Sequence, residues 1–231
     1  MKYSLKSLVL VVALAGLVSS AKADKLTLSQ NHSYSVGIGG AYVAKVIDGP
    51  ISNADYSGAA KIGTNSFLTF CIEYNEYFTS GSTLNYVLNN GSVNGGVSGQ
   101  TAKNYDGISN GTAYLYSLFA QGNLAGVAGF AYNTSSHGYG YLQNAIWNLE
   151  GEIKSSNSLS NWVKSNVANW NADSNGSYGV QALNLTNVKG GGKAQDQLYY
   201  HNVPEQGLTV ALLGLALVGI AGFRRKFSSA K

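Results

Sequence analysis

Apolar and polar positions divide the chain into two apolar ends and a mixed body. Leu8 to Val18 is an unbroken apolar run, and Gly207 to Phe223 is a second, almost wholly apolar one. Between them, Leu26 to Ser29 and Tyr34 to Ile47 read as strands, the second broken by Gly37-Ile38-Gly39-Gly40. Ser66 to Tyr77 has the clearest two-residue period. Leu68, Phe70, Ile72 and Tyr74 share one face, and Phe67, Thr69, Cys71 and Glu73 the other. Tyr86 to Leu88 is expected to pair with it, and Val180 to Leu185 is a late strand. Three stretches carry helical spacing instead. Ala113 to Ala120 gathers Ala113, Leu115, Leu118 and Phe119 on one broad side. Tyr139 to Ile153 carries the stripe Leu142, Ala145, Ile146, Leu149 and Ile153, and Leu159 to Trp170 is a third helix with Ser158 or Ser160 as its cap. Strands at both ends with helices between predict an α+β fold. The expected form is a β-rich sandwich or barrel-like domain with an inserted helical region, followed by a single C-terminal transmembrane helix. Gly- and Asn-rich stretches near Asn89 to Gly99 and Lys189 to Lys193 read as loops, the latter opening a flexible linker over 189–202.

The ends carry their own chemistry. Lys2 and Lys6 precede the first apolar run, and Ala21-Lys22-Ala23 follows it with small residues at both positions that a signal peptidase reads. Residues 1–23 therefore read as a secretory signal cleaved after Ala23. The second run, as a helix, reaches about 25 Å, a little short of a ~30 Å hydrocarbon core. Arg224, Arg225 and Lys226 follow at once, where long basic side chains snorkel to the interface and stay on the cytoplasmic side. A signal at one end and an anchor at the other place the body outside the inner membrane.

Val203-Pro204-Glu205-Gln206, the apolar run and the Arg224-Arg225-Lys226 cluster together resemble the PEP-CTERM sorting signal. That resemblance covers residues 203–231. It implies an exosortase-type enzyme as partner, recognition at Pro204 and Glu205, and transfer from the membrane to the cell surface or extracellular matrix. Gln206 stands where that pattern has a second proline.

Charge narrows the choice of partners. Seven of the 15 basic residues lie in the two ends, against one of the 11 acidic residues. The body from Asp24 to Asn202 thus carries 8 basic and 10 acidic groups and is near −2. The basic footprint of a nucleic-acid-binding surface is absent from it. The body is long enough for one domain with a real core. Its single cysteine, Cys71, has no disulfide partner within the chain. A lone thiol outside the cell is exposed to oxidation unless it is buried, paired between chains, or chemically committed.

Thr69-Phe70-Cys71-Ile72-Glu73-Tyr74 and Leu142-Gln143-Asn144-Ala145-Ile146-Trp147 resemble the two signatures of bacterial thioester domains, an aromatic-Cys motif on a strand and a Gln motif ending in Ala-Ile-Trp. Over residues 24–188 the resemblance implies an adhesion module in which Cys71 and Gln143 form an internal thioester with loss of ammonia. Such a bond acylates, once, an amine or hydroxyl on an extracellular polymer or surface protein. Trp147 lies one helical turn after Gln143 and would shield the bond from water. Its ordinary role would be core packing. His137, in the Ser135-Ser136-His137-Gly138 loop, is a candidate proton donor, though most loop histidines are simply exposed. The alternative is a noncovalent matrix or biofilm surface protein in which Cys71 is a small core residue. A Cys71–His137 hydrolase lacks any orienting partner that the sequence identifies. Glu150 and Glu152, two apart on a helix, do not face each other and read as a solvated helix side. No His/Cys cluster or acidic loop predicts a metal site, and no motif predicts a cofactor.

Overall fold

The computed structural model describes residues 23–31, 33–36, 39–93 and 104–201. Residues 1–22, which include Ala21 and all but Ala23 of the expected signal, and residues 202–231, with Pro204, Glu205, Arg224, Arg225 and the run 207–223, lie outside them. No helix among the described residues is long and apolar enough to cross a membrane.

Among the described residues the strands are β1 (Lys25–Ser29), β2 (Ser35–Val36), β3 (Gly39–Gly40), β4 (Tyr42–Asp48), β5 (Ser66–Thr69), β6 (Ser82–Asn89), β7 (Gly91–Val93), β8 (Tyr105–Gly107), β9 (Val180–Asn187) and β10 (Lys193–Tyr200). The helices are α1 (Asn110–Ala120), α2 (Tyr139–Leu149) and α3 (Ser158–Asn166). Six strands form one curled antiparallel sheet in the order β10-β9-β6-β1-β4-β5, while β2-β3 and β7-β8 are two-stranded ribbons. The fold is α+β, as the order of elements predicts.

Alternation explains the inner strands. Leu26 and Leu28 of β1, and Leu84 and Tyr86 of β6, point into the core, and their neighbours are more exposed. The helices sit on the curled sheet because each buries an apolar stripe. Leu115, Tyr116 and Phe119 do so for α1, and Leu142, Ala145, Ile146 and Leu149 for α2. The Tyr116 hydroxyl lies 3.0 Å from the Leu68 carbonyl oxygen and 3.1 Å from that of Leu198, so one α1 side chain reaches both outer strands of the sheet. It also meets the Tyr56 hydroxyl at 2.9 Å, and Tyr56 stacks on Phe67 with ring centres 4.5 Å apart.

Several elements depart from the pattern-based reading. Regular pairing of β5 ends at Thr69, and Cys71 makes a single isolated bridge to Gln197. The strand expected to run to Tyr77 stops because its continuation leaves β4 and turns toward β10. The Tyr86–Leu88 stretch pairs with β9, while Ser82–Asn85 of the same strand pairs with β1, and neither meets β5. Helix α2 stops at Leu149 because Gly151 adopts φ 80°, and Glu152 N–H donates to the Trp147 carbonyl oxygen at 2.8 Å, closing the helix end. Helix α3 is capped by Asn157, whose side chain accepts from Ser160 N–H while the Ser160 hydroxyl accepts from Asn157 N–H. Ser160 is thus the third helical residue, not the cap, and the helix ends at Asn166, not Trp170.

The largest correction concerns the expected linker over 189–202. Gly190 (φ 84°) and Gly191 (φ 63°) turn the chain through a tight hairpin, which needs the left-handed backbone that glycine adopts freely. The chain then runs back along β9 as β10, in which every residue after Lys193 is buried.

Candidate functional site

The site lies where the two outer edges of the sheet meet. Beyond β5, Thr69 Oγ1 donates to the Leu198 carbonyl oxygen (2.6 Å), Leu198 N–H donates to that of Phe70 (3.0 Å), and Ile72 N–H donates to that of Asp196 (3.1 Å). These bonds bring 69–72 alongside β10 and leave Cys71 opposite Gln197. The register of β10 shifts between Ala194 and Gln197, an irregularity of the kind that re-aims side chains next to functional positions.

From the other side, α2 delivers Gln143. Cys71 N–H donates to Gln143 Oε1 at 3.0 Å, and Gln143 Nε2 donates to the Cys71 carbonyl oxygen at 2.9 Å. Both residues are fully buried. The Gln143 carboxamide therefore takes the place a neighbouring strand would have, satisfying both backbone groups of Cys71. Gln197 Nε2 donates to Cys71 Sγ at 3.5 Å, and the Tyr42 hydroxyl is also in hydrogen-bonding range of that sulfur. Burial pushes the Cys71 thiol up to about 12, against the smaller opposing effects of Gln197 and Tyr42, so it is neutral at physiological pH.

Above the pair lie Gly39, Trp147 and Tyr74. A Cβ on Gly39 would stand 2.8 Å from both Gln143 Cγ and Trp147 Cη2, so only a glycine lets β3 pack this closely. Trp147 is 3% exposed and meets the Tyr74 ring edge-on at 4.9 Å. Its ring and the Gln143 side chain both close on Gly39, and its Nε1 is buried without a partner. A cleft of about 480 Å³ borders this cover, lined by Tyr74, Tyr141, Asn144 and Trp147 among others. A second cavity of about 270 Å³, lined by Tyr42, Tyr74, Glu76 and Phe78 among others, opens on the side of the Tyr42 hydroxyl.

His137 is not brought to the pair. It is exposed, its Nδ1 lies 3.2 Å from the Ser136 hydroxyl, and its ring rests on Tyr141 at 4.9 Å. Glu150 and Glu152 do not form a solvated helix side either, since both are 5% exposed. Glu150 Oε1 accepts from the Ser109 hydroxyl (2.7 Å) and from Ser109 N–H (3.2 Å) at the start of α1, where a helix favours negative charge. Glu152 Oε2 accepts from Tyr74 N–H at 3.0 Å. The chain reversal after α2 directs both carboxylates inward, which helix periodicity alone does not reveal.

Sequence reasoning missed Tyr42, Gln197 and Gly39, and it missed the acidic groups gathered nearby. Carboxylates of Glu73 and Glu76 and that of Asp196, distant from them in the chain, place oxygens within 4.8 Å of one another. Asp196 is well satisfied, with Val93 N–H (2.8 Å), Leu185 N–H (2.9 Å) and Asn184 Nδ2 (2.8 Å) all donating to it. The only advance signal was the density of polar residues in Gln195-Asp196-Gln197, which reads equally well as a solvated linker.

A pH dependence follows from two other buried acids. Burial, then the charges of Glu150 and Glu152, push Asp106 up to about 8, and burial pushes Glu150 up to about 7. Between about pH 4 and those values the folded chain holds protons that the unfolded chain has released. Stability therefore falls as pH rises through that window and levels off above about 8, by on the order of a few kcal/mol. Urea unfolding with a chelator present should give a higher midpoint at pH 5 than at pH 8, and Asp106→Asn should flatten the difference. A midpoint that climbs toward pH 8 would contradict this.

Comparison with protein-family models, with curated proteins and with solved structures returns no match to this chain.

Proposed function

We propose that the chain is an exported surface protein in which Cys71 and Gln143 join as an internal thioester that acylates a partner nucleophile once. The reciprocal pair of hydrogen bonds between the Gln143 carboxamide and the Cys71 backbone carries this reading. Cys71 N–H on Oε1 polarises the carboxamide carbonyl and stands where negative charge develops when sulfur attacks. In that step Sγ bonds to Cδ, the Cδ–Nε2 bond breaks, and the thiol proton leaves with nitrogen as ammonia. A neutral thiol suits the step, because the proton it carries is the one the leaving nitrogen needs. The product is a buried acyl group under Trp147 and Gly39, dry until a nucleophile displaces the cover. An amine or hydroxyl on an extracellular polymer or surface protein then takes the acyl group and returns the Cys71 thiol. This is single-turnover crosslinking.

Export and sorting belong to the same proposal. Residues 1–23 act as the signal, 207–223 anchor the chain in the membrane, and Pro204, Glu205, Arg224 and Arg225 mark the tail for an exosortase-type enzyme. Sequencing of envelope-derived protein should begin at Asp24, and recovery of a mature envelope form that retains Met1 would sink the signal-peptide reading. The bond itself is tested by intact mass, since the native protein should weigh one ammonia less than its sequence. A full-weight protein leaves the noncovalent surface-protein reading in place.

A further inference from the structure

Glu73 is 1% exposed. Its Oε1 accepts from the Ser92 hydroxyl at 2.9 Å, but its Oε2 is buried without a donor. Its carboxyl group meets that of Glu76, whose own Oε2 is likewise buried and unpartnered. Asp196 completes the group and lies at the shifted register of β10. Two buried carboxyl groups that face each other and can be joined only by a shared proton, each with a further oxygen that no donor reaches, beside a third carboxylate, form an arrangement that a cation satisfies.

We propose that Glu73, Glu76 and Asp196 form a calcium site that ties segment 71–76 to β10. The donor set selects the ion. It is oxygen only, with no imidazole or thiolate, which suits hard cations and disfavours zinc or copper. Ligand oxygens on opposite sides of a calcium ion stand about 4.6–5.2 Å apart, and about 4.0–4.2 Å apart around magnesium. Oxygens that all lie within 4.8 Å of one another can surround one calcium ion. The cavity lined by Glu76, Gln195 and Tyr77 supplies an entry path and room for the waters that calcium's six to eight ligands require. Lys193, at the exposed start of β10, adds positive charge toward Glu76 but is not among the ligands. The site's frame is already held by Gln195 Nε2 on the Glu73 carbonyl oxygen (3.1 Å), Ile72 N–H on that of Asp196, and Gln195 N–H on that of Tyr77 (3.2 Å). The ion would add a further tie between this segment and β10. The site does not depend on the thioester.

The full chain, stripped with a chelator, should bind calcium with Kd of about 10⁻⁴–10⁻³ M, as extracellular modules do. Its melting midpoint should rise by about 5–10 °C at a hundredfold excess over Kd. Terbium should give tyrosine-sensitised emission, since Tyr74 and Tyr77 line the adjoining cavity, and calcium should quench it by displacement. Glu76→Gln, at a half-buried position where packing is least disturbed, should abolish the thermal shift and weaken terbium binding at least tenfold. Asp173→Asn, whose carboxylate acts on Asp106 and is not among the proposed ligands, and Cys71→Ala should both keep the wild-type response. A wild type that neither binds calcium nor shifts in melting overturns the proposal and leaves Glu73 and Glu76 sharing a proton. Equal binding by Glu76→Gln overturns it too, by placing the ion elsewhere.

Discussion

Methylamine added to the native protein should modify Gln143 and release one titratable thiol at Cys71. An amine attacks a thioester carbonyl readily and a carboxamide hardly at all. Starting from a protein lighter by one ammonia, the product should weigh one methylamine more than the starting form. Cys71→Ala, purified with the same termini, should have its full sequence mass and ignore methylamine. Its cost in stability should be about 1–2 kcal/mol, the loss of a small buried side chain. Gln143→Ala makes a poorer control. It orphans both backbone groups of Cys71 in a fully buried place, at about 1–3 kcal/mol each. Gln143→Glu keeps the shape and the Oε1 acceptor and, held protonated by burial, can donate from Oε2 to the Cys71 carbonyl in place of Nε2; with no ammonia to expel, it should show a free Cys71 on denaturation and stay inert. Full sequence mass in the wild type, with no methylamine adduct, would rule the bond out.

Replacing residues 193–200 with a Gly/Ser stretch of equal length should abolish cooperative unfolding. This exchange tests β10 while keeping the tail attached. It removes buried Ala194, Leu198, Tyr199 and Tyr200, and large apolar side chains contribute about 1.5–3 kcal/mol each. It also strips β9 of its β10 partner along Val180–Thr186 and removes Asp196, taking the acceptor from Val93 N–H, Leu185 N–H and Asn184 Nδ2. These losses together match the whole 5–15 kcal/mol by which domains of this size are stable. Near-UV circular dichroism should collapse, and Cys71 should become titratable without denaturant in the unreacted chain. A variant that still unfolds in one sharp transition would show that 189–202 is dispensable to the core.

The two experiments fall on opposite sides of what the residue pattern reveals. Helices α1, α2 and α3 and the inner strands β1 and β9 were legible, because their periods are complete within a window of a few residues and each buries one face, whereas of β6 only Tyr86–Leu88 was read, with the wrong partner. The Cys71 and Gln143 motifs were legible as motifs, and the sheet and α2 bring them together across 72 residues of sequence. The partners of that pair were not. Gln197 reaches Cys71 Sγ across 126 residues, and Tyr42 comes from a third strand.

The order of elements by itself determined an α+β body with apolar ends, and the Cys71–Gln143 pair was implied only by the resemblance of two short motifs to thioester domains. Tertiary structure alone decided which polar residues are buried. Gln195, Asp196 and Gln197 look like linker because polar side chains normally seek water. They lie inside because the meeting edges of the sheet supply each of them with a partner: the Glu73 carbonyl, three donors, and the Cys71 sulfur. Glu150 and Glu152 are inward for the same reason, held by Ser109 and by Tyr74 N–H. A polar group is buried when distant segments satisfy its hydrogen bonds, and that condition leaves no periodic trace in the residues on either side of it.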